Sequence, residues 1–441
     1  MEFDLAQLNR DWIAGISGKD FCAKVAGCRA RLQGLSDSES ASGILISERD
    51  PIAFAAGFFA AISLQIPVIL ANPNWGKKEW LELGSLVSLR IIFGRGFRGF
   101  TCEDRSGSDI SDGVVTASTG SGMKLSAAPT GLQPLDAGSI LIPTGGSTGG
   151  VKLAVHTWES LEAACDGVQA FLGGGAINSC CVLPLYHVSG LMQLLRTYHS
   201  GGYIRFDEDE VADACLSYVP TQLQRALADS ERTQKLTTVR ALFVGGAAMS
   251  DALAQRARTL KLPVVPVYGM TETAAMVAAI PAEAFRENPN AGAQPMGDAR
   301  IEIDPDGRIR IQSSALFKGY HGRPLIDLSQ GYVTDDEGRL DANGHLHVIG
   351  RVDRLINSGG EKIDPCEVEA AVAKIDGVNE VLAVGLPDSE WGQKLVVYYT
   401  GSEVQDWKEL LRGALVNYKL PKEMLWVVRL PLDEKGKFMG T

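Results

Sequence analysis

The chain has 441 residues, of which 45% are hydrophobic and 22% are charged, and its formal net charge is −11. This length exceeds what one hydrophobic core supports, so we expect a globular protein of two or three domains. The acidic balance argues against a surface that binds nucleic acid or an anionic membrane.

The cysteines and the apolar runs narrow the class further. The eight cysteines are scattered without a Cys-x-x-Cys pair, so neither a zinc site nor a disulfide framework is predicted, and a reducing cytoplasm is expected. The first residues, Met-Glu-Phe-Asp, do not resemble a signal peptide. The longest apolar run, 52–70, is interrupted by Gln65 and Pro67. It predicts a buried helix over 53–64 and a buried strand over 68–71 rather than a membrane span.

Strand and helix patterns alternate from about residue 45 to 270. The elements predicted there include strands over 214–219, 240–244 and 263–267 and helices over 220–226 and 251–260. Ser250 is placed to cap the last helix. Such alternation implies parallel sheets covered by helices, with ligands bound at the carboxyl ends of the strands.

The pattern changes after residue 295. Ile301 and Ile303 are expected to face Ile309 and Ile311 in a β-hairpin across residues 304–307. The elements predicted beyond 351 are helices over 365–373 and 405–416 and strands over 380–384 and 395–399. The predicted fold is therefore α/β: a large domain over 1–350, with parallel sheets and a small β-barrel-like unit, then a small mobile α+β domain over 351–441. Residues 101–135, rich in Ser, Gly, Thr and Asp, predict a surface loop.

Residues 142–152, Ile-Pro-Thr-Gly-Gly-Ser-Thr-Gly-Gly-Val-Lys, follow an apolar strand and form the most informative stretch. Four glycines allow backbone N–H groups to turn inward, and hydroxyls and a lysine add further donors, as in a phosphate-binding loop. A plain turn is the simplest alternative. A Walker loop is excluded because Leu153, not Ser or Thr, follows Lys152.

Further stretches follow this loop in a fixed order: 184–190 (PLYHVSG), 245–248 (GGAA), 268–273 (YGMTET), 331–336 (GYVTDD), 350–353 (GRVD), 358–363 (SGGEKI) and 436–437 (GK). Together with the loop they resemble the acyl-CoA synthetases of the adenylate-forming superfamily, over roughly residues 40–441. In these enzymes a carboxylate attacks the α-phosphate of ATP, which gives an acyl-AMP and pyrophosphate. The thiolate of CoA then displaces AMP.

The resemblance implies a role for each matched residue. The β- and γ-phosphates would be held by Lys152 and the loop Thr144, Gly145, Gly146, Ser147, Thr148, Gly149 and Gly150. Thr271 would contact the α-phosphate and Glu272 would bind Mg²⁺. The nucleotide would lie against Gly246, Ala247, Tyr268, Gly269 and Met270, with its ribose on Asp336 beside Arg351. Lys437 would reach the reacting carboxylate and α-phosphate. Taken alone, Glu272 could be a helix-terminal charge, Asp336 a turn residue and Lys437 a solvated lysine.

Further expectations concern the C-terminal part of the chain. In the superfamily the small domain rotates between the two half-reactions, and Asp353 occupies the hinge position. Ser358, Gly359 and Gly360 would then line the path of the CoA pantetheine, where glycine permits close approach. The chain departs from the family pattern at Asp335, where glycine is usual, and at Val151, where proline is common.

Three stretches, 185–191, 218–223 and 242–248, resemble the o-succinylbenzoate–CoA ligases of menaquinone and phylloquinone synthesis. That substrate carries a second carboxylate, which needs a cation or several donors when it is buried. Arg225 follows Thr221 by one helical turn, so we hypothesise that Arg225 holds this carboxylate, with His187 and Ser189 lining the site.

The alternatives are a ligase for another aromatic or fatty acid and a relative that binds AMP without catalysis. A long-chain fatty acid would need an apolar tunnel without an internal cation. The expected partners are o-succinylbenzoate (2-succinylbenzoate), ATP and CoA, with no nucleic acid and no membrane span. The sequence leaves the oligomeric state open, and a homo-oligomer is one alternative.

Overall fold

The fold was derived from a computed structural model of the chain. The structure describes residues 4–36, 40–75, 77–87, 91–94, 114–116, 134–145, 151–324, 326–351, 356–358, 361–388, 391–412, 414–415 and 417–432. Sheets flanked by helices make up a large N-terminal domain, and a small α+β domain follows, which confirms the predicted α/β class.

The first sheet has six strands: β1 (Ile44–Ser47), β2 (Val68–Leu70), β3 (Ile91–Gly94), β4 (Val114–Thr116), β5 (Ile140–Gly145) and β6 (Val151–His156). Their order is β4-β3-β1-β2-β5-β6. The four inner strands are parallel, as predicted, whereas β4 and β6 are antiparallel edge strands. Every residue of β1 is buried, as expected for an apolar strand covered on both faces.

The second sheet has seven strands: β7 (Ser179–Cys180), β8 (Ile204–Arg205), β9 (Cys215–Tyr218), β10 (Ala241–Val244), β11 (Val264–Met270), β12 (Ala275–Ala279) and β13 (Gln294–Pro295). Their order is β13-β12-β11-β10-β9-β7-β8. Because β9, β10 and β11 are parallel, Tyr218 and Val244 end neighbouring strands at one edge. β11 extends beyond the predicted residue 267 because its last residues pair antiparallel with β12.

The helices of this domain are α1 (Gly18–Gln33), α2 (Pro51–Ile62), α3 (Lys77–Leu86), α4 (Trp158–Phe171), α5 (Val188–Ser200), α6 (Pro220–Leu227), α7 (Ser230–Leu236), α8 (Asp251–Thr259) and α9 (Ala282–Glu287). The predicted helix over 53–64 is α2, which is apolar all round and buried over 54–62. It starts earlier than predicted because Asp50 caps it by accepting from the Ala53 N–H. The predicted cap Ser250 accepts from the Leu253 N–H at the start of α8.

A third sheet is antiparallel and consists of β14 (Arg300–Ile303), β15 (Arg308–Gln312), β16 (Tyr332–Leu340) and β17 (Leu346–Arg351), in that order. The hairpin pairs Ile301 with Ile311 and Ile303 with Ile309, as predicted. The described strands form an open sheet rather than a closed barrel. The predicted loop over 101–135 lies outside the described residues except for β4 and residues 134–135.

The small domain contains β18 (Ile356–Ser358), β19 (Glu361–Ile363), β20 (Val378–Asp388), β21 (Gly392–Gly401), β22 (Glu423–Trp426), α10 (Pro365–Val372) and α11 (Trp407–Leu411). It has its own apolar core, which includes Ile363, Val368 and Leu395. The helix predicted over 405–416 is shorter, because Arg412 already has extended backbone (φ −65°, ψ 124°). Across the described ranges, no helix combines the length and apolar character needed to cross a membrane.

Candidate active site

Two paired strands border the predicted phosphate loop. β5 ends in Thr144 and Gly145, and β6 places Lys152 directly opposite Thr144. Lys152 therefore lies on a strand, not within the loop where the sequence placed it, and the ladder of β5 fixes its backbone. Its ammonium nitrogen lies 5.4 Å from the centre of the Tyr320 ring. Residues 146–150 lie outside the described residues.

The turn between β11 and β12 carries Thr271 and Glu272. Two alanines after it, Ala274 (φ 50°) and Ala275 (φ 77°), have left-handed backbone. Such a conformation costs a non-glycine residue about 1–3 kcal/mol, and strain of this kind concentrates at functional sites. Gly269 is required by close approach, because a Cβ there would lie 1.8 Å from the Ala275 carbonyl oxygen. The chain therefore maintains a strained, tightly packed turn at the position of the two candidate catalytic residues.

Glu272 is a buried carboxylate, with 7% of its surface exposed. Its Oε1 accepts a hydrogen bond from the Tyr320 hydroxyl at 2.5 Å. Burial and the nearby Glu272 carboxylate raise the pKa of Tyr320, so the phenol stays protonated and donates. No described lysine, arginine or histidine forms an ion pair with Glu272. Since buried charges are normally paired or bound to metal, this oxygen donor suits a hard cation such as Mg²⁺.

Tyr268 and Asp336 meet where the second and third sheets adjoin. The Tyr268 hydroxyl donates to Asp336 Oδ2 at 2.7 Å. Burial, and then the Asp336 carboxylate, raise the pKa of Tyr268, so this phenol also remains a donor. Arg351 pairs with Asp336 across β16 and β17, and its Nη1 lies 3.7 Å from Asp336 Oδ1. The carboxylate is thereby held in place by a phenol and a guanidinium.

Asp335, the aspartate that stands where the family usually has glycine, lies on the solvent side of Asp336 and Arg351. Its carboxylate is exposed and lies 3.7 Å from both the Arg308 and the Arg351 guanidinium. Two arginines thus offset the charge that replaces the usual glycine. Arg351 is therefore shared between the exposed Asp335 and the buried Asp336.

The residues predicted beside adenine lie at the carboxyl end of β10. Gly246 (φ 80°) and Ala247 follow this strand and are exposed. Gly245 approaches β11 so closely that a Cβ would lie 2.5 Å from Val267 Cγ2. Met270 ends β11, where its N–H donates to Thr273 Oγ1 at 3.0 Å. These residues share the edge at which Tyr218 and Val244 end their strands.

The three residues predicted to line the acyl site lie on two different helices. His187 is the exposed N-terminal cap residue of α5, and Ser189 lies in the first turn of that helix. Arg225 lies on another helix, α6, on the exposed face that it shares with Thr221. Its guanidinium makes no hydrogen bond or ion pair with another described residue. Arg225 is therefore an exposed cation, and its contact with the second carboxylate stays a prediction.

Arg196, which the sequence analysis did not consider, is a buried cation. It lies on α5 with 1% of its surface exposed. Its Nη2 donates to Ser217 Oγ at 2.9 Å, and its guanidinium lies over the Phe243 ring at 5.2 Å. Its Nε and Nη1 have no hydrogen-bond partner among the described residues. Burial lowers the pKa of Arg196, and no described carboxylate forms an ion pair with it.

Arg196 belongs to a polar seam, which we define as Ser189, Gln193 and Arg196. The spacing of four and three residues places them along one side of α5. Gln193 is fully buried, its Nε2 donates to the Ser189 carbonyl at 3.0 Å, and its Oε1 has no partner among the described residues. Buried polar groups are nearly always satisfied, so these donors and this acceptor are candidates for binding a polar ligand. The signal in the sequence was a charged residue, Arg196, directly after the apolar pair Leu194 and Leu195.

His156 is a second residue that the sequence analysis missed. It lies on β6, fully buried, and its Nε2 lies 2.8 Å from the Thr271 carbonyl oxygen. A carbonyl can only accept, so Nε2 carries the proton, and Nδ1 faces Ser160 Oγ at 3.0 Å. Burial lowers the pKa of His156 to about 4. The neutral imidazole therefore ties the strand of Lys152 to the turn of Thr271.

The C-terminal candidates are only partly described. Ser358 ends β18 and pairs with Glu361 in β19. Its hydroxyl is buried and has no hydrogen-bond partner among the described residues. Asp353, Gly359, Gly360 and Lys437 lie outside the described residues.

Comparison with known proteins agrees with this architecture. Residues 25–321 match the AMP-binding enzyme family, and residues 367–437 match the AMP-binding enzyme C-terminal domain. A 2-succinylbenzoate–CoA ligase of Listeria monocytogenes serotype 4b is 30% identical over 313 residues, which cover 67% of this chain and 67% of that protein. The corresponding ligase of Lactococcus lactis is 27% identical over 419 residues, covering 91% of this chain and 90% of that protein.

The same fold is found among solved structures. The o-succinylbenzoate CoA synthetase (MenE) of Bacillus subtilis, solved in complex with the acyl-adenylate intermediate OSB-AMP, superposes with a TM-score of 0.78. The match covers 99% of this chain and 96% of that chain at 22% identity. The family match extends over most of the large domain and includes the phosphate loop, Glu272 and Tyr320. The chain therefore belongs to the AMP-binding enzyme family.

Proposed function

We propose that the chain is an AMP-forming acid–CoA ligase that converts 2-succinylbenzoate, ATP and CoA to 2-succinylbenzoyl-CoA, AMP and pyrophosphate. The carrying observation is the 30% identity, over two thirds of the chain, to a 2-succinylbenzoate–CoA ligase. The product would serve the quinone pathway that the sequence resemblance implies. A cytoplasmic location remains a prediction from the scattered cysteines.

In the first half-reaction a carboxylate oxygen of the acid attacks the α-phosphorus, and pyrophosphate leaves. Both reactants are anions, so positive charge and donors must offset their repulsion. Lys152 would supply a fixed ammonium for the β- and γ-phosphates, and Thr271 a hydroxyl for the α-phosphate. Glu272 would hold Mg²⁺, which neutralises phosphate charge when bound. Support comes from the burial of Glu272 and from its lack of a described cationic partner.

The nucleotide would be held by Asp336 and the carboxyl edge of the second sheet. Asp336 would accept hydrogen bonds from the ribose hydroxyls, since Tyr268 and Arg351 fix its carboxylate from two sides. The Tyr268 ring and the backbone of Gly246 and Ala247 would contact adenine. The exposed backbone after β10 supports this role because adenine recognition needs accessible amide groups.

For the acyl group, we propose that Arg196 replaces Arg225 as the residue that binds the second carboxylate of 2-succinylbenzoate. A carboxylate would supply acceptors for the unpartnered Nε and Nη1, and a fork-shaped pairing suits a guanidinium. Ser189 and Gln193 would continue the contact along the seam, and His187 would lie at its entrance. A simple fatty acid has no group to neutralise this buried cation, so Arg196 favours a dicarboxylic substrate.

In the second half-reaction the CoA thiolate attacks the acyl carbon, and AMP leaves. We propose a boundary between domains over 1–350 and 351–441, with Asp353 as the hinge for rotation. Ser358, Gly359 and Gly360 would then line the thiol path, and Lys437 would act in the first half-reaction only. The C-terminal family match over 367–437 supports the assignment of Lys437, because it extends to that residue.

Exchange of labelled pyrophosphate into ATP tests the adenylation step without CoA. We expect exchange that depends on 2-succinylbenzoate and Mg²⁺. Binding of AMP without any exchange would reject catalysis and support the alternative of a non-catalytic relative. Exchange that depends on another acid would keep the mechanism and reject the assigned substrate.

A further inference from the structure

One tyrosine contacts both groups proposed to handle the phosphates. The Tyr320 hydroxyl donates to Glu272 Oε1 at 2.5 Å, and the face of its ring lies 5.4 Å from Lys152 Nζ. Its hydroxyl also lies 3.4 Å from the Tyr332 hydroxyl. Phe317 packs edge-on against both Tyr320 and Tyr332, with ring centres 5.0 and 5.1 Å apart. The aromatic cluster thus limits the orientations open to Tyr320.

The backbone around Tyr320 is fixed to both elements that carry these groups. The Lys318 N–H donates to the Val155 carbonyl at 2.7 Å and the His321 N–H to the Leu153 carbonyl at 2.9 Å. Residues 318–321 therefore extend the ladder of β6, the strand of Lys152. The Phe317 N–H donates to the Glu272 carbonyl at 2.9 Å. Main-chain hydrogen bonds therefore hold residues 317–321 against β6 and the Glu272 turn, the same two segments that the Tyr320 side chain contacts.

The geometry at Glu272 leaves one oxygen available. Oε1 is occupied by the Tyr320 hydroxyl, whereas Oε2 has no partner among the described residues. Mg²⁺ typically takes one or two carboxylate oxygens and completes its shell with phosphates and water. A donor fixed on Oε1 restricts rotation of the carboxylate and so presents Oε2 in one direction. Hydrogen bonds of this kind to metal ligands commonly determine metal affinity.

We propose that Tyr320 is a positioning residue that couples the metal site to the phosphate lysine: its hydroxyl orients Glu272 toward Mg²⁺, and its ring holds the ammonium of Lys152. This inference rests on the proposed function, because it assumes that Glu272 binds the metal of a metal–nucleotide complex. The two halves of the side chain have separate roles, and they can be removed separately. Tyr320→Phe deletes the hydroxyl and keeps the ring, whereas Tyr320→Leu deletes both.

The test measures Mn²⁺ binding by electron paramagnetic resonance, in the presence of a non-hydrolysable ATP analogue and without acid or CoA. We expect Tyr320→Phe to weaken Mn²⁺ binding about tenfold and to leave metal-free nucleotide affinity within about twofold of wild type. Tyr320→Leu should weaken the metal-free nucleotide affinity as well, since Lys152 loses its ring contact. Tyr332→Phe is the matched control, because it removes a neighbouring phenol that does not bond Glu272, and it should bind Mn²⁺ like wild type.

Unchanged Mn²⁺ affinity in Tyr320→Phe, or equal losses in Tyr320→Phe and Tyr332→Phe, would overturn the proposal. If Tyr320 had only a structural role, Tyr320→Phe would lower the thermal stability, the Mn²⁺ affinity and the metal-free nucleotide affinity together. That result would also overturn the proposal. Because the assay contains neither acid nor CoA, it decides the role of Tyr320 whatever the acyl substrate is. Failure of 2-succinylbenzoate to support pyrophosphate exchange would instead reject the proposed function.

Discussion

Arg196 donates to Ser217 Oγ over 2.9 Å, and this hydroxyl is the hydrogen-bond partner of its guanidinium within the described part of the chain. Burial of a cation without a carboxylate partner has an unfavourable desolvation free energy, so such cations are rare in protein interiors. The neighbouring Gln193 also has an unpartnered buried oxygen. The pairing of Arg196 with a neutral serine therefore points to an anionic ligand rather than a structural ion pair.

Loss of Arg196 should selectively affect the acid. We expect Arg196→Gln to raise the KM for 2-succinylbenzoate about a hundredfold, because a charged hydrogen-bond partner of a buried carboxylate is removed. The KM for ATP should change less than about threefold. Steady-state kinetics with each substrate varied in turn would measure both. The same kinetics test the sequence-based hypothesis that Arg225 binds the second carboxylate. We expect Arg225→Ala to change the KM for the acid by less than about threefold, since Arg225 is exposed.

Without a bound acid, Arg196 should lower the free energy of unfolding of the protein. Arg196→Met replaces a buried charge that has no described carboxylate partner by an apolar chain of similar length, so the free energy of unfolding should rise. Added 2-succinylbenzoate should raise the melting temperature of wild type and not that of Arg196→Met. Thermal unfolding with and without the acid checks this. A destabilised variant would show that Arg196 supports the fold instead of a ligand.

The ribose assignment can be tested at two adjacent aspartates. Asp336→Asn should raise the KM for ATP about tenfold or more, because hydrogen bonds to a charged acceptor contribute about 1.5–3 kcal/mol. Asp335→Gly is the matched control: that carboxylate is exposed and lies 3.7 Å from its arginines, so the KM should change less than about threefold. Equal effects of the two changes would mean that local charge, not ribose binding, sets the affinity.

His156 should give the protein a defined pH dependence of stability. Its pKa in the folded state is lowered from 6.5 to about 4, so on acidification the unfolded chain binds a proton before the native state does. Native stability should therefore fall between about pH 6.5 and 4, by about 3 kcal/mol in total from this group. His156→Gln should remove that contribution. Urea unfolding at pH 7 and pH 4.5 measures it, and parallel losses in both proteins would contradict the assignment.

The sequence predicted those elements whose signals are local. Ser250 caps α8, and the alternating isoleucines pair Ile301 with Ile311, because capping and hairpin register depend on neighbouring residues. Predicted ends differ where tertiary pairing intervenes: β11 continues past residue 267 because β12 pairs with it. Asp336 and Arg351 lie opposite each other in one ladder, as their shared role in the resemblance led us to expect.

The acyl site was less accessible to sequence reasoning. Arg225 satisfied the spacing rule with Thr221, but spacing alone does not show which face of α6 is covered, and both residues are exposed. Arg196 and His156 are buried by contacts with residues distant in the chain, Ser217 and Thr271. Tyr320 likewise acquires its contacts only when residues 318–321 join β6. These contacts depend on the packing of segments that are distant in the chain, and local sequence patterns do not predict them.

CoA-thioester formation by the full chain with ATP, Mg²⁺ and CoA tests the proposed acyl substrate directly. The kcat/KM would be compared for 2-succinylbenzoate, benzoate, a medium-chain fatty acid and a long-chain fatty acid. We expect a kcat/KM for 2-succinylbenzoate at least about a hundredfold above the others, since only this acid carries a second carboxylate for Arg196. Equal or better turnover of benzoate or of a fatty acid would contradict it.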